Sequence, residues 1–435
     1  MPQHATWCEI DRAAIRHNLR QVKELASRNE FFLPGRSGSG QKIKTSMMGV
    51  LCVIKADAYG HGMLEVCGVL DDEGVEMFGV SDINEGIALR DRGITTPVLL
   101  FESTLPEHIP FICEYDLTPT LCTLEFARRL DELAHKLNKT VRVHIEVDTG
   151  MGRLGEWHTG ALDFIRQVAS LRNLVIEGIF THFPSADTDK KFTRQQIDLI
   201  HGIILELDRE GLIIPYVHAC NSMGLMGYHT SVMNLFRPGL MVYGQYPAKR
   251  VRDVIALKPV LTVKSKVIYV KEIAKGRSIS YGRTFVAKRR MTVATIPIGY
   301  NDGYLREYSN KAHVLINGRR CRVLGMVTMD QIVVDVTGIG GVSEGTIATV
   351  LGREGGSTRS VASTARRRPW WLTVLAPLGA AAVAGAALML AIRPEAVPPR
   401  APQAYAEIVD PLDDVSSFTF RSESERMTVV WVDTR

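Results

Sequence analysis

The sequence lacks the patterns that mark disulfide-bonded, zinc-binding, exported and nucleic-acid-binding proteins. Its seven cysteines are scattered and form no CxxC pair, so free thiols in a reducing compartment are favoured over disulfides or a zinc site. The N-terminal residues contain no apolar run of the kind found in a signal peptide. The net charge of +5 is mild, and no basic stripe carries interleaved aromatic residues. We therefore expect a cytoplasmic protein that binds neither a metal nor a nucleic acid.

The overall composition is that of an ordinary globular protein. Hydrophobic residues make up 46% and charged residues 23% of the 435 residues. That length is enough for two or three domains, each with its own core. Changes of pattern divide the chain into three parts, residues 1–245, 246–356 and 357–435.

Residues 1–245 predict an α/β barrel. Eight short apolar and β-branched runs occur there, and most of the gaps between them carry a helical pattern. Near-continuous apolar strands that alternate with helices indicate a parallel sheet covered on both faces. Eight such units favour a TIM-type (β/α)8 barrel, and a six-stranded doubly wound sheet is the competing interpretation. The runs are residues 48–55, 77–81, 97–101, 118–123, 141–147, 174–183, 216–221 and 235–243.

Residues 246–356 predict a separate all-β domain. Stretches such as VLTVKSKVIYVKEI and HVLINGRRCRVLG alternate in hydropathy and have no helical pattern between them. The Asn317-Gly318 pair is a strong signal for a hairpin turn. We expect this domain to follow the barrel directly.

Residues 357–435 form a tail of different composition, in which we predict an apolar helix over residues 370–392. This segment has 23 residues without a charge, opens with two tryptophans and closely follows three arginines, as bilayer spans often do. A buried alanine-rich helix of a globular domain is the alternative. All sixteen lysines precede Gly356. Two origins of the tail stay open: an anchor in the inner membrane, or a fusion of unrelated coding sequences.

The stretch VIKADAYGHG places Lys55 at the carboxyl end of the first predicted strand. Active sites of (β/α)8 barrels lie at this end of the strands. A lysine there can form a Schiff base with an aldehyde cofactor once its pKa is lowered. The alternative is a solvated lysine just beyond a strand, and Lys55 alone does not decide between the two.

Polar residues also occur within or just after the later predicted strands, so they should gather where successive strands end, at the same face of the barrel. Ser222 in CNSMG and Gly239 in RPGLMVYG can offer a hydroxyl and a backbone N–H group to a phosphate. Taken alone, His182 fits a core histidine and Arg237 fits a structural ion pair. Together the set predicts a phosphorylated aldehyde cofactor bound by Lys55. Its members are Arg153, His182, His218, Asn221, Ser222, Arg237 and Gly239.

Eight motifs in this order resemble those of the bacterial alanine racemase family. They are VIKADAYGHG, VDTGMGRLG, THF, CNS, RPGLMVYG, SYGRTF, IPIGYNDGY and GMVTMDQ, and the resemblance extends over residues 5–355. It implies a fold-type III pyridoxal-phosphate enzyme, built as a (β/α)8 barrel followed by a β domain. It also implies a homodimer with shared active sites that racemises L-alanine to D-alanine for peptidoglycan synthesis.

The resemblance further implies which residues perform the reaction. Lys55 would be the Schiff-base lysine and one of two catalytic bases. Tyr281, reaching in from a second copy of the chain, would be the other base, because racemisation removes a proton from one face and returns it on the opposite face. The amino-acid substrate would be bound by Arg153, Tyr300 and the backbone of Met329.

For the cofactor, the resemblance implies that Arg237 faces the pyridine nitrogen and is oriented by His218. Because an arginine does not give up its proton, the ring nitrogen would stay unprotonated, which favours a racemase over an aminotransferase. His182 would stack on the ring, and Arg153 would contact the phenolate oxygen. The phosphate would be bound by Tyr59, Ser222 and the backbone of Gly239 and Leu240, and Asn221 would be a further cofactor-binding residue.

Two departures from the family pattern lead to further expectations. Glu146 stands where many members have a lysine that is often carbamylated, so we expect its carboxylate to pair with Arg153. The family pattern stops near Gly356, so we expect the β domain to lack its closing strands and the phosphate to lose a tyrosine ligand. Lower stability and weaker cofactor affinity than in a full-length relative would follow.

Two alternatives stay open beside alanine racemisation. One is a serine or broad-specificity racemase of the same family, and the other is a truncated, inactive relative tethered to the membrane. A decarboxylase of the same architecture is disfavoured by Tyr281 in SYGRT and by the TMDQ motif. If residues 370–392 are an anchor, the preceding arginines would keep the barrel in the cytoplasm.

Overall fold

The chain folds around two large β-sheets, one parallel and one mainly antiparallel. The computed structural model describes residues 5–28, 48–228, 232–354, 357–359 and 428–432. The parallel sheet is formed by the first half of the chain, and the antiparallel sheet is formed mainly by the second half.

The first half of the chain alternates strands and helices. Its elements are β1 (Thr6–Asp11), α1 (Arg12–Ser27), β2 (Gly49–Val53), α2 (Lys55–Gly60), α3 (Met63–Asp72), β3 (Met77–Val80), α4 (Ile83–Asp91), β4 (Val98–Leu100), α5 (Ile109–Glu114), β5 (Thr118–Leu121), α6 (Leu124–Lys136), β6 (Val141–Asp148), β7 (Glu156–Trp157), α7 (Ala161–Ala169), β8 (Leu174–Phe180), α8 (Lys190–Arg209), β9 (Tyr216–His218), α9 (Ser222–Gly227) and β10 (Leu235–Phe236). This alternation is the one that the hydrophobic pattern predicts.

Eight parallel strands form a near-closed barrel in the order β10-β2-β3-β4-β5-β6-β8-β9. A bridge between Asn221, after β9, and Arg237, after β10, joins the two ends of this order. Each of these strands lies within one predicted apolar run, apart from the last residue of β6. The predicted (β/α)8 barrel is therefore confirmed, and the six-stranded doubly wound sheet is wrong.

The barrel strands are apolar because both of their faces are buried. Side chains of alternate residues point to opposite faces of a strand. One set, for example Cys52 and Phe78, joins the large core beneath the helices. The other set forms a separate core inside the barrel: Leu51, Val53, Met77, Leu99 and Leu235.

Side-chain caps define the starts of two helices that follow barrel strands closely. Asp82 accepts hydrogen bonds from the first turn of α4, and Thr123 accepts one from the first turn of α6. Such caps satisfy backbone N–H groups that have no partner within the helix. The two caps therefore determine where α4 and α6 begin at the carboxyl face of the barrel.

The second half of the chain forms the all-β domain that the sequence predicts. Its strands join in the order β12-β15-β18-β17-β16-β19-β11-β1-β21, so the N-terminal strand β1 belongs to this sheet. Asn317 and Gly318 form the predicted hairpin turn between β16 and β17, with φ angles of 50° and 71°. The strands are β11 (Leu261–Lys266), β12 (Tyr269–Ile273), β13 (Ser278–Ile279), β14 (Phe285–Val286), β15 (Met291–Ile296), β16 (His313–Ile316), β17 (Arg319–Leu324), β18 (Ile332–Asp335), β19 (Ile347–Glu354), β20 (Ser357–Arg359) and β21 (Thr428–Val432).

The last two strands belong to the tail. β20 pairs with β19, and β21 pairs in parallel with β1. The predicted apolar helix over residues 370–392 lies outside the described residues. In the part of the chain that the structure describes, no helix combines the length and hydropathy that a bilayer span needs. The domain limits after residues 245 and 356, and the loss of closing strands, stay predictions.

Candidate active site

A cavity of about 510 Å³ opens at the carboxyl ends of the barrel strands. This volume is in the range of small-molecule binding sites. Its lining includes Phe101, Glu146 and Phe180. Nine residues that the sequence assigned to the site also line it: Lys55, Tyr59, Arg153, His182, Asn221, Ser222, Arg237, Gly239 and Leu240.

Lys55 begins a left-handed turn at the end of β2. The four residues that follow it have positive φ angles between 52° and 57°. Because this conformation costs roughly 1–2 kcal/mol per L-residue, neighbouring groups must stabilise it. Glu85 does so, since its carboxylate accepts hydrogen bonds from the N–H groups of Ala56 (2.7 Å) and Asp57 (3.4 Å). The turn places both Lys55 and Tyr59 in the cavity wall.

The ammonium group of Lys55 lies in an unfavourable environment. Burial lowers its pKa, and the positive charges of Arg153 and Arg237 lower it further, against the attraction of Glu85. A lowered pKa increases the fraction of free amine, which is the form that attacks a carbonyl carbon. The position and environment of Lys55 therefore suit a nucleophilic amine.

Two hydroxyl groups and a backbone N–H converge in the wall near Gly239. The Ser222 hydroxyl oxygen accepts a hydrogen bond from the Gly239 N–H at 3.1 Å. A Cβ atom at Gly239 would stand 2.5 Å from the Tyr59 hydroxyl oxygen, so the absence of a side chain permits this approach. Burial raises the pKa of Tyr59 to about 12, so its hydroxyl keeps its proton. Asn221 caps the adjacent helix α9 by accepting from the Gly224 N–H at 3.0 Å.

Arg237 is the buried cation of the cavity, with 3% of its surface exposed. Its Nη1 donates to His218 Nδ1 at 2.8 Å, and its Nη2 donates to the carbonyl oxygens of Thr181 (2.8 Å) and Ala219 (3.0 Å). Burial lowers its pKa to about 10, which leaves it protonated at neutral pH. The guanidinium group is therefore a donor held in one orientation by fixed acceptors.

His182 lies beside Arg237, with its Nδ1 3.3 Å from the Arg237 Nη2. Burial lowers the pKa of His182 to about 3, and the positive charges of Arg237, Arg153 and Lys55 add to this effect. The imidazole is therefore neutral at physiological pH. A neutral ring in the cavity wall can stack on an aromatic ligand.

Glu146 carries negative charge into a cavity that otherwise holds cations. It is buried, and its Oε2 has no hydrogen-bond partner. The expected direct pairing with Arg153 is therefore not formed at this oxygen. Burial raises the pKa of Glu146, while Arg237 and then Arg153 lower it through longer-range attraction.

Three predicted site residues of the β domain do not line the cavity of their own chain. Tyr281, Tyr300 and Met329 are exposed by 69%, 47% and 50%. Their loops are connected, since the Tyr300 N–H donates to the Thr328 carbonyl (3.1 Å) and the Ser280 hydroxyl donates to the Met326 carbonyl (2.6 Å). The three side chains therefore belong to one set of interconnected, exposed loops, which we call the Tyr281 loops.

Two family models match the chain. The N-terminal domain model of alanine racemase matches residues 40–247, and the C-terminal domain model of alanine racemase matches residues 260–373. The chain belongs to the alanine racemase family. The resemblance inferred from the motifs is confirmed, and so is the prediction that the protein is an enzyme of the isomerase class.

Individual members of the family match along most of their length. The alanine racemase of Halothermothrix orenii is 39% identical over 360 residues, which are 82% of this chain and 90% of that protein. The alanine racemase of Carboxydothermus hydrogenoformans is 40% identical over 354 residues, which are 81% and 91%. The solved alanine racemase of Clostridium difficile 630 has a TM-score of 0.73 at 33% identity, covering 82% of this chain and 89% of that one.

Three residues that contact the predicted site residues are not identified by any motif in the sequence. Glu85 supports the left-handed turn, and Phe180 stacks on His218 with ring centroids 4.7 Å apart. His144 contacts the other side of His218, with its Nδ1 2.9 Å from the His218 Nε2. The only sequence signal for this contact is a histidine in the middle of the predicted strand VRVHIEV.

Proposed function

We propose that the chain interconverts L-alanine and D-alanine with pyridoxal 5′-phosphate as its cofactor. The observation that carries this proposal is the cavity itself, where an amine of lowered pKa, a fixed arginine and an anion-binding group of hydroxyls share one wall. These donors fit the phosphate of the cofactor. Because Gly239 has no side chain, the backbone there leaves room for a phosphate beside the Tyr59 and Ser222 hydroxyls. When bound, the cofactor supplies an electron-withdrawing system that makes the substrate α-proton more acidic.

Each part of the cavity has a role in this proposal. Lys55 would hold the aldehyde, Arg153 would contact the phenolate oxygen, and His182 would stack on the ring. Arg237 donates towards the ring nitrogen, and its retained proton leaves that nitrogen unprotonated, which limits transamination. The phosphate is bound by Tyr59, Asn221, Ser222, Gly239 and Leu240.

The proton is moved by two bases on opposite faces of the substrate. Lys55 takes or returns it on one face, and Tyr281 does so on the other. Since Tyr281 is 69% exposed and does not line the cavity of its own chain, it acts in the cavity of a second copy. Tyr300 and Met329 enter with it and, together with Arg153, hold the substrate carboxylate. The active form is therefore a homodimer.

Complementation between two inactive variants tests both the reaction and the shared site. Lys55→Ala and Tyr281→Phe are purified separately, mixed under dissociating conditions, reassembled with pyridoxal phosphate and assayed for D-alanine formation. Each variant alone should be inactive. Because each mixed dimer has one intact site, the mixture should recover about one quarter of the wild-type activity.

The outcome separates the alternatives. No recovery from a mixture that has exchanged subunits would contradict the shared site, and no activity in the wild type would favour an inactive relative. A parallel assay with L-serine tests broad specificity, since a rate equal to that on L-alanine would overturn the substrate assignment. We further propose that the product enters peptidoglycan synthesis and that the catalytic part is cytoplasmic.

A further inference from the structure

A chain of buried polar groups runs from Arg237 down the inside of the barrel. Arg237 Nη1 lies 2.8 Å from His218 Nδ1, and His218 Nε2 lies 2.9 Å from His144 Nδ1. His144 Nε2 lies 3.5 Å from Glu177 Oε2. The last distance is longer than an ideal hydrogen bond, but neither atom has another hydrogen-bond partner, so each is the partner available to the other.

Arg237, which only donates, and the Glu177 carboxylate, which only accepts, require the same direction for every hydrogen bond in this series. A guanidinium group donates only, so His218 Nδ1 must accept and the proton of that neutral ring must be on Nε2. His218 Nε2 then donates to His144 Nδ1, which places the proton of His144 on its Nε2, directed at Glu177. Burial lowers the pKa of both histidines, which supports neutral rings.

A bulge in the sheet brings Glu177 to the end of this series of polar groups. Between β6 and β8, Val143 pairs with Ile176 but His144 pairs with Gly178, so Glu177 is an extra residue in β8. Bulges redirect side chains in this way. Gly178 leaves space for the His144 ring, because a Cβ atom at this position would stand 2.5 Å from the ring.

Glu177 lies far enough from the cavity to be absent from its lining. Its side chain is 16% exposed, and its Oε1 lies 3.7 Å from the Nε of Arg142, which is more exposed. Strand register places His144, Gly178 and Tyr216 in one layer of the barrel and Glu146, Phe180 and His218 in the next. This series of polar groups thus crosses two successive layers of the barrel interior.

We propose that Glu177 and His144 are positioning residues that fix the tautomer of His218 and thereby hold the Arg237 guanidinium in a single orientation at the floor of the cavity. The inference rests on the proposed function only for its catalytic consequence, since Arg237 is the group that faces the cofactor ring nitrogen. The tautomers themselves are a property of the protein without cofactor.

Nuclear magnetic resonance of the full chain labelled with ¹⁵N-histidine tests the tautomers directly. Long-range ¹H–¹⁵N correlation spectra are recorded with and without pyridoxal phosphate, and the two rings are assigned from the variants His144→Asn and His218→Asn. Both rings should carry their proton on Nε2 at neutral pH. A proton on Nδ1 of either ring, or on both nitrogens, would overturn the proposal.

Kinetics of Glu177 variants test the positioning role. Glu177→Leu removes the acceptor and should lower kcat about tenfold with little change in KM, as expected for an outer partner of a site residue. Glu177→Gln keeps an acceptor oxygen and should retain most of the activity. The matched control is Glu210→Leu, which removes an exposed partner of Arg166 outside the barrel and should leave kcat unchanged.

The outcomes separate this inference from the proposed function. Equal losses in Glu177→Gln and Glu177→Leu, or wild-type kcat in Glu177→Leu, would overturn the positioning role. If the wild type has no racemase activity, the proposed function fails, and the tautomers measured in the cofactor-free protein still decide the inference. If Glu177→Leu does not fold, the wild-type spectra and Glu177→Gln remain decisive.

Discussion

The floor of the barrel cavity and the Tyr281 loops of the β domain present their functional groups in opposite ways. Arg237 is 3% exposed and is fixed by several hydrogen bonds, whereas Tyr281 is 69% exposed. Buried polar groups are held in place because an unmade hydrogen bond is costly there, and exposed groups have no such constraint.

This difference suggests that the barrel and the Tyr281 loops have separate roles. In the proposed function the barrel supplies the cofactor-binding groups, whereas the exposed groups of the Tyr281 loops act against another surface. A second copy of the same chain provides that surface in the proposed homodimer. Substitutions in the barrel should therefore affect stability and cofactor binding, and substitutions in the Tyr281 loops should affect activity alone.

The largest effect is expected from Lys55→Ala. Loss of the amine should lower racemase activity more than about 10³-fold, because the cofactor attachment and one base are both removed. Borohydride reduction of the wild-type holoenzyme should attach the cofactor to the peptide that contains Lys55, as detected by mass spectrometry. Lys311→Ala, in the exposed part of the β domain, should keep wild-type activity. Attachment at another lysine would contradict the assignment.

The same substitution in the two regions should have different effects on stability. Arg237→Met leaves the carbonyl oxygens of Thr181 and Ala219 without their donor and should lower the free energy of unfolding by about 3 kcal/mol. Arg283→Met, in the Tyr281 loops, should change it by less than about 0.5 kcal/mol. Urea denaturation of both variants measures the difference. Equal changes in the free energy of unfolding for the two variants would contradict the proposed difference between the two regions.

Acid should destabilise the barrel through the turn that follows Lys55. His61 is buried against this turn, and burial lowers its pKa to about 4. In the unfolded chain the pKa of this histidine is about 6.5, so below pH 6.5 the unfolded chain binds more protons than the folded chain. The stabilisation that comes from keeping His61 neutral and buried is complete above pH 6.5. It should decrease by about 2 kcal/mol between pH 7 and pH 5.

The measurement is the slope of unfolding free energy against pH for the wild type and His61→Asn. The variant should have a flatter slope in this window, and His135→Gln, which alters an exposed helix residue, should follow the wild type. A slope unchanged in His61→Asn would show that other groups cause the acid sensitivity.

The smallest effect is expected at the proposed phosphate site. In Gly239→Ala the new Cβ would stand 2.5 Å from the Tyr59 hydroxyl, which must move, so pyridoxal-phosphate affinity should fall about tenfold. Fluorescence titration of the cofactor-free protein measures this change. Gly202→Ala is the control, because its Cβ meets no neighbour within 4 Å. An unchanged dissociation constant would place the phosphate elsewhere.

Much of the barrel could be predicted because its signals are local. Each of the eight apolar runs carries its own hydrophobic pattern, and Lys55 is adjacent in sequence to the strand that positions it. Glu177 could not be predicted, because its role depends on a one-residue bulge against a strand more than thirty residues earlier. The unpaired Oε2 of Glu146 was missed for a similar reason, since proximity to an arginine in sequence does not establish contact.

The sequence by itself determined the order of strands and helices in the barrel, the hairpin at Asn317-Gly318 and the position of Lys55 at the end of a strand. These features follow from the spacing of apolar residues and from turn residues that act over a few positions. Only the tertiary structure decided that Arg237 is fixed by His218, His144 and Glu177 while Tyr281 stays exposed. The reason is physical: burial and hydrogen-bond direction depend on which distant residues are brought together, and folding alone establishes those contacts.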